Sequence, residues 1–139
     1  MWVVMIDFSK LRILIVDDET IVTSVLAEML QELRVRHIKV AHSPDEAMEL
    51  LESYKANVIL SDIEMGKKSG FDLIQEAREK FLDAKYASVI FLTGHADPEI
   101  VKKAKELKVS GYLLKPVEKQ KLKNNLVRVY NILLTSGRL

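Results

Sequence analysis

The chain predicts an α/β protein whose parallel β-sheet is covered by helices on both faces. Three observations carry this expectation. Short apolar runs rich in β-branched residues alternate with longer amphipathic stretches, five of each. The runs are apolar almost throughout, which suits strands buried on both faces. Several of the amphipathic stretches open on capping residues, as at Ser43-Pro44-Asp45-Glu46 and Asp97-Pro98-Glu99, where a capping side chain is followed by proline in the first turn. Strands and helices that alternate along one chain pack as a layered α/β domain.

The first strand is read at Lys10–Val16 and ends in Asp17-Asp18-Glu19. Thr20 to Leu33 follows as a helix, with Ile21, Val22, Val25, Leu26, Met29, Leu30 and Leu33 at three- and four-residue spacing, an amphipathic stripe. His37–Ala41 is a shorter, more polar strand suited to a sheet edge, with His37 and His42 at the surface. The second helix carries Ala47, Leu50 and Leu51 inward and ends near Tyr54. Val58–Ser61 is a buried strand that delivers Asp62 to the point where the chain leaves the core. The loop Met65-Gly66-Lys67-Lys68-Ser69-Gly70 leads to a third helix over Phe71–Phe81. Ser88–Leu92 is the fourth strand and ends in Thr93; a fourth helix begins at Asp97-Pro98. Val109–Leu114 is the fifth strand and ends in Lys115-Pro116, and a last helix spans Glu118–Leu134.

At 139 residues and 48% hydrophobic content, one globular domain with a core of its own is expected. The domain is read as residues 10–139. Residues 1–9 form an apolar extension in which Trp2, Val3, Val4, Ile6 and Phe8 suit an edge strand, a dimer contact or the end of a preceding segment. A net charge of +1 gives no electrostatic reason to expect direct nucleic acid binding or attachment to a membrane surface. The absence of cysteine excludes disulfides and thiolate metal sites. The apolar start is too short to span a bilayer and lacks a basic flank and a cleavage site, so no membrane insertion and a cytoplasmic location are expected.

The carboxyl ends of the strands carry chemistry. They offer Asp17 and Asp18, then Asp62, Thr93 and Lys115. In open α/β sheets the ligand site lies beyond these ends. A single aspartate there is explained equally well as a loop cap; successive reactive residues at one topological level are not. Carboxylates within roughly 4–6 Å raise one another's pKa unless a cation compensates. Magnesium does so with oxygen ligands, retained waters and phosphate oxygens. A phosphoryl group arriving here would meet a metal, the Lys115 ammonium and the Thr93 hydroxyl, which suits phosphoryl transfer. Without a cysteine or a well-placed serine or histidine, Asp62 is the natural nucleophile.

These residues resemble the receiver domains of two-component response regulators, the chemotaxis-regulator-like type included. The resemblance runs from about Leu11 to Leu134. It rests on Ile15-Val16-Asp17-Asp18-Glu19, on Asp62 followed by Met65 and Gly70, on Leu92-Thr93-Gly94-His95-Ala96-Asp97, and on Gly111-Tyr112-Leu113-Leu114-Lys115-Pro116. It implies a flavodoxin-like, doubly wound sheet in the order 2-1-3-4-5 with five helices. It implies that Asp62 accepts a phosphoryl group from a histidine kinase or a histidine phosphotransfer protein. Magnesium, with manganese as the alternative ion, would be held by Asp18 directly, by Asp17 mostly through water, by Asp62 and by the backbone carbonyl of Glu64. Lys115 would pair with Asp62 or its phosphate, beside a cis peptide before Pro116. Thr93 and Tyr112 would form the switch pair. The side chains of Glu64 and His95 occupy positions that tune phosphate lifetime, although a histidine in such a loop is more often simply solvated.

One departure is Gly66 where the family commonly has proline, followed by Lys67 and Lys68; it predicts a looser loop or an altered partner contact. Residues 101–128 carry nine lysines and arginines against Glu106 and Glu118, which reads as a solvated face or a basic docking surface. The resemblance gives the fourth helix, fifth strand and fifth helix as the face for a homodimer or an output partner. On the last helix a second apolar stripe, Val127, Tyr130 and Leu134, beside Leu122, Leu126, Val129 and Leu133, predicts a partner helix, self-association or continuation into an output segment. The protein is thus read as a signalling switch, stand-alone or part of a longer chain, and not as an enzyme beyond its own phosphorylation and dephosphorylation. The alternative is a magnesium-dependent phosphohydrolase of the haloacid-dehalogenase type with Asp62 as nucleophile. Glu64 meets its need for an acid two residues on, but its nucleophile normally follows the first strand and it normally carries a cap. A flavin module is disfavoured because Asp17-Asp18-Glu19 would repel the flavin phosphate.

Overall fold

The computed structural model describes residues 5–139. The part of the N-terminal reading that concerns Trp2, Val3 and Val4 lies outside the described residues. Five strands form the sheet: β1 (Arg12–Val16), β2 (His37–Ala41), β3 (Val58–Asp62), β4 (Ser88–Thr93) and β5 (Gly111–Leu114). All adjacent pairs are parallel and the order is β2-β1-β3-β4-β5, so the doubly wound, flavodoxin-like reading holds.

Side chains alternate across a strand, and the sequence of β1 divides accordingly. Ile13 and Ile15 join Val58, Leu60, Ile90, Leu92 and Leu113 on one face. Helices α1 (Thr20–Glu32) and α6 (Lys119–Thr135) cover that face with Leu26, Leu30, Leu122, Leu126, Val129 and Leu133. Leu14 and Val16 join Ile59, Val89 and Phe91 on the other face. There α2 (Pro44–Leu51), α3 (Gly70–Lys80), α4 (Leu82–Tyr86) and α5 (Pro98–Glu106) contribute Ala47, Leu51, Leu73, Ile74, Ala77, Ala84 and Ala104.

Caps fix where the helices begin. Ser43 Oγ accepts from the Glu46 N–H at 3.1 Å, and Asp97 Oδ1 accepts from the Ile100 N–H at 3.0 Å. Ser69 and Asp72 form a reciprocal capping box at the start of α3. Gly66 has φ +78°, a left-handed turn that glycine adopts without strain.

The structure corrects three expectations. Six α-helices are present among the described residues where five were expected. The extra one, α4, is a single turn of five residues, too short to produce a periodic signal. The stripe on α1 is narrower than expected: Ile21 is 78% and Val25 44% exposed, while Leu26 and Leu30 are buried. The second stripe on α6 is largely absorbed into the domain, because Tyr130 is buried and only Leu134 stays open. What covers Tyr130 is Phe8, in a 3₁₀ turn over Phe8–Lys10; the rings meet edge to face with centroids 6.2 Å apart. The unit that packs together therefore begins no later than Phe8. Phe8→Ala should lower stability by about 3 kcal/mol in urea unfolding. An unchanged midpoint would show that residues before Lys10 contribute nothing to the core.

Candidate functional site

Strand register builds the site. Val16 lies opposite Ser61, Asp62 opposite Leu92, and Thr93 opposite Leu114. The residue that ends or follows each of these strands therefore reaches the same level at the edge of the sheet. The β1/β3 boundary is where the strand order reverses, the position at which such sheets bind ligands. Asp17 and Asp62 flank that boundary.

Asp17 is fully buried and Asp62 is 5% exposed; Asp18 is exposed. One carboxylate oxygen from each of the three lies within 4.8 Å of the others. The Lys115 ammonium stands among them, 2.7 Å from Asp17 Oδ2, 3.3 Å from Asp62 Oδ1 and 3.7 Å from Glu19 Oε1. The peptide that follows it, before Pro116, is cis. Asp17 Oδ1 accepts the Glu19 backbone N–H at 2.9 Å. Asp17 Oδ2 has no aligned hydrogen bond; the ammonium beside it balances charge without satisfying its lone pairs. A buried, unsatisfied carboxylate oxygen within a cluster of three carboxylates fits a hard divalent cation, which takes oxygen ligands. Asp17, Asp18 and Asp62 are the side chains able to hold it.

Burial and the neighbouring Asp17 charge push the Asp62 carboxyl up from 3.8 to about 6, against the pull of Lys115 and of the Glu64 backbone N–H. Burial pulls the Lys115 ammonium down, but its 2.7 Å contact with Asp17 and the charges of Asp62 and Asp17 outweigh this and hold it above its ordinary value. The charges of the buried Asp62 and the partly buried Lys115 thus depend on each other.

The cleft beside Asp62, about 160 Å³, is lined by Glu19, Glu64, Thr93, Gly94, His95 and Lys115. Thr93 is buried, with its hydroxyl turned into its own loop: Oγ1 donates to the His95 carbonyl at 2.5 Å and accepts the His95 N–H at 3.0 Å. His95 and Glu64 are exposed at the rim. Tyr112 is the predicted site residue that does not join them. It is 40% exposed and lines a separate groove with Leu114, Lys115, Pro116 and Asn124. By strand alternation it shares its face with Thr93, one strand away: Phe91 pairs with Tyr112 and Thr93 with Leu114.

Two contacts escaped the sequence reading. Gly70 passes so close to Asp62 that a Cβ would sit 2.2 Å from the Asp62 carbonyl oxygen, and its N–H donates to the Ile63 carbonyl at 2.7 Å. A glycine just after a capping serine was the available signal. Glu19 reaches Lys115; the signal was a third consecutive acid, one more than the paired metal holders require.

Fold and site together define a doubly wound α/β protein with an acid pocket at its topological switch point, a pocket that fits aspartyl phosphorylation and magnesium binding. The chain belongs to the response regulator receiver domain family, whose pattern it matches over residues 13–127. It is 31% identical over 105 residues to the transcriptional regulatory protein PdtaR of Mycobacterium tuberculosis, covering 76% of this chain and 49% of that protein. The chain therefore spans about half the length of that relative. It is 28% identical over 124 residues to a probable chemotaxis protein CheY of Rhizobium etli, covering 89% and 95% of the two chains. Among solved structures, the chemotaxis response regulator CheY4 of Vibrio cholerae superposes with a TM-score of 0.78 at 26% identity over 86% of this chain and 98% of that one. A CheY-like receiver domain protein of Methanospirillum hungatei gives 0.80 at 25% identity, over 91% and 98%.

The raised Asp62 pKa has a stability consequence. A carboxyl that titrates near 6 when folded and 3.8 when unfolded binds its proton more tightly in the folded state. The metal-free domain should lose stability as pH rises from 4 through 6, by about 1–3 kcal/mol. Asp62→Asn should flatten that slope and raise the metal-free melting temperature at pH 7. A slope unchanged by the substitution would contradict the raised pKa. Gly70→Ala should cost about 1–3 kcal/mol in urea unfolding through overpacking against the Asp62 carbonyl; wild-type stability would mean the loop yields freely.

Proposed function

We propose that this domain is a phosphoacceptor switch, loaded on Asp62 by a histidine kinase or a histidine phosphotransfer protein. The observation that carries the reading is the buried Asp62 carboxylate facing both Lys115 and the acid pair. In the transfer, an Asp62 oxygen attacks phosphorus in line with the phosphohistidine nitrogen. The P–O bond forms as the P–N bond breaks, and the imidazole keeps the electron pair. Lys115 neutralises charge that develops on the phosphoryl oxygens. Magnesium, or manganese in its place, would be held by Asp17, Asp18, Asp62 and the Glu64 carbonyl, and would supply charge neutralisation at the phosphoryl oxygens.

Thr93 and Tyr112 are the switch pair in this reading. The Thr93 hydroxyl, now bound within its own loop, turns to the phosphate, and the exposed Tyr112 ring moves inward beside it. A local charge change thereby biases a two-state element. Glu64 and His95, at the rim, set how readily water reaches the aspartyl phosphate. The output or homodimer surface is the α5, β5 and α6 face, supported by the exposed Lys102, Lys105, Lys108, Lys121 and Lys123. No helix among the described residues is long and apolar enough to cross a membrane. A cytoplasmic location follows from the donor, since histidine kinases draw on ATP. Direct nucleic acid binding and independent enzymatic turnover form no part of the reading.

Acetyl phosphate should label the protein stoichiometrically in the presence of magnesium. Chelation or Asp62→Asn should abolish labelling, read by the mass increase of one phosphoryl group. Equal labelling of wild type and Asp62→Asn would sink the assignment.

A further inference from the structure

We propose that Glu19 is a positioning residue that competes with the anion on Asp62 for the Lys115 ammonium. The inference rests on the reading of Asp62 as the phosphoacceptor and adds a determinant of how firmly the phosphoryl group is held.

Lys115 has three carboxylate neighbours, and they differ in kind. Asp17 and Asp62 are buried and fixed by strand ends, whereas the Glu19 side chain is 66% exposed. Glu19 is the N-cap residue of α1, yet its side chain makes no capping hydrogen bond. Its carboxylate instead lines the Asp62 cleft and approaches Lys115 to 3.7 Å. The ammonium lies nearer Asp17 than Asp62, 2.7 against 3.3 Å. Asp17 and Glu19 thus share Lys115 with the acceptor. One ammonium charge is shared among three carboxylates, so a phosphoryl group on Asp62 competes with Asp17 and Glu19 for it. Glu19 is the longest of the three side chains and the only one of them not buried. While it stays in contact it holds part of the lysine's charge away from the anion and turns a negative charge toward it.

The test uses beryllofluoride as the phosphoryl mimic at saturating magnesium, with binding followed by amide NMR shifts of the whole protein. Glu19→Gln should bind it about 2–5-fold more tightly than wild type, the range of an exposed ion pair. The difference should shrink at high salt, because Glu19 is open to solvent. Glu19→Asp keeps the charge at the start of α1 but falls short of Lys115, and should behave as Glu19→Gln. A role confined to the helix terminus would shift the melting temperature of Glu19→Gln and leave beryllofluoride affinity at the wild-type value, which overturns the proposal. Tighter binding in Glu19→Gln but wild-type affinity in Glu19→Asp also overturns it, since charge alone would then be acting. Equal beryllofluoride binding by wild type and Asp62→Asn would instead remove the phosphoacceptor reading, and this proposal with it.

Discussion

The Lys115 ammonium is the constraint on which the rest of the site depends. Two carboxylates are buried at adjacent strand ends, and water cannot screen them from each other. One lysine, reaching over from the end of the edge strand β5, makes that burial tolerable. The arrangement is incomplete by construction: one ammonium faces more negative charge than it can cancel, and an oxygen of Asp17 is left without a hydrogen bond. A site left short of positive charge in this way favours divalent cations, and a phosphoryl group carried with them.

The sheet makes that constraint satisfiable. The parallel register holds β1, β3, β4 and β5 level at their carboxyl ends, so short loops suffice to gather residues far apart in the chain. Apolar layers on both faces keep those ends from shifting. Helix α3 is drawn close beneath Asp62 because Gly70 presents no side chain to the Asp62 carbonyl. The Arg78 guanidinium extends the same helix's ties outward by donating to the Leu107 carbonyl at the end of α5. The loop between strand and helix is tied on its outer side by Lys68, which contacts both Asp45 and Glu76.

Much of this was legible in the chain itself. Period and composition decide buried strands such as Val58–Asp62 and amphipathic helices, and strand-end chemistry decides Asp17, Asp18, Asp62, Thr93 and Lys115 as neighbours. What stayed hidden depends on three-dimensional neighbours. A five-residue helix such as α4 has no period to read. The stripe on α1 looked wider than it is because periodicity marks an apolar face without saying how much of it the sheet covers. Tyr130 seemed to await a partner because its partner, Phe8, lies far away in sequence. Gly70 and Glu19 act through single close approaches, which residue type alone does not reveal.

The two borders of the sheet bear on how the protein behaves while it folds. Its three central strands are apolar runs of the kind that stack readily between chains. Their flanks are guarded. On one side β2 sets His37 and Lys39 toward solvent; on the other β5 is only four residues long. Short or charged edges resist pairing with a second molecule. The sequence thus places a partly charged strand and a very short one where a growing aggregate would begin, and keeps its longer apolar runs in the middle, closed off from both sides.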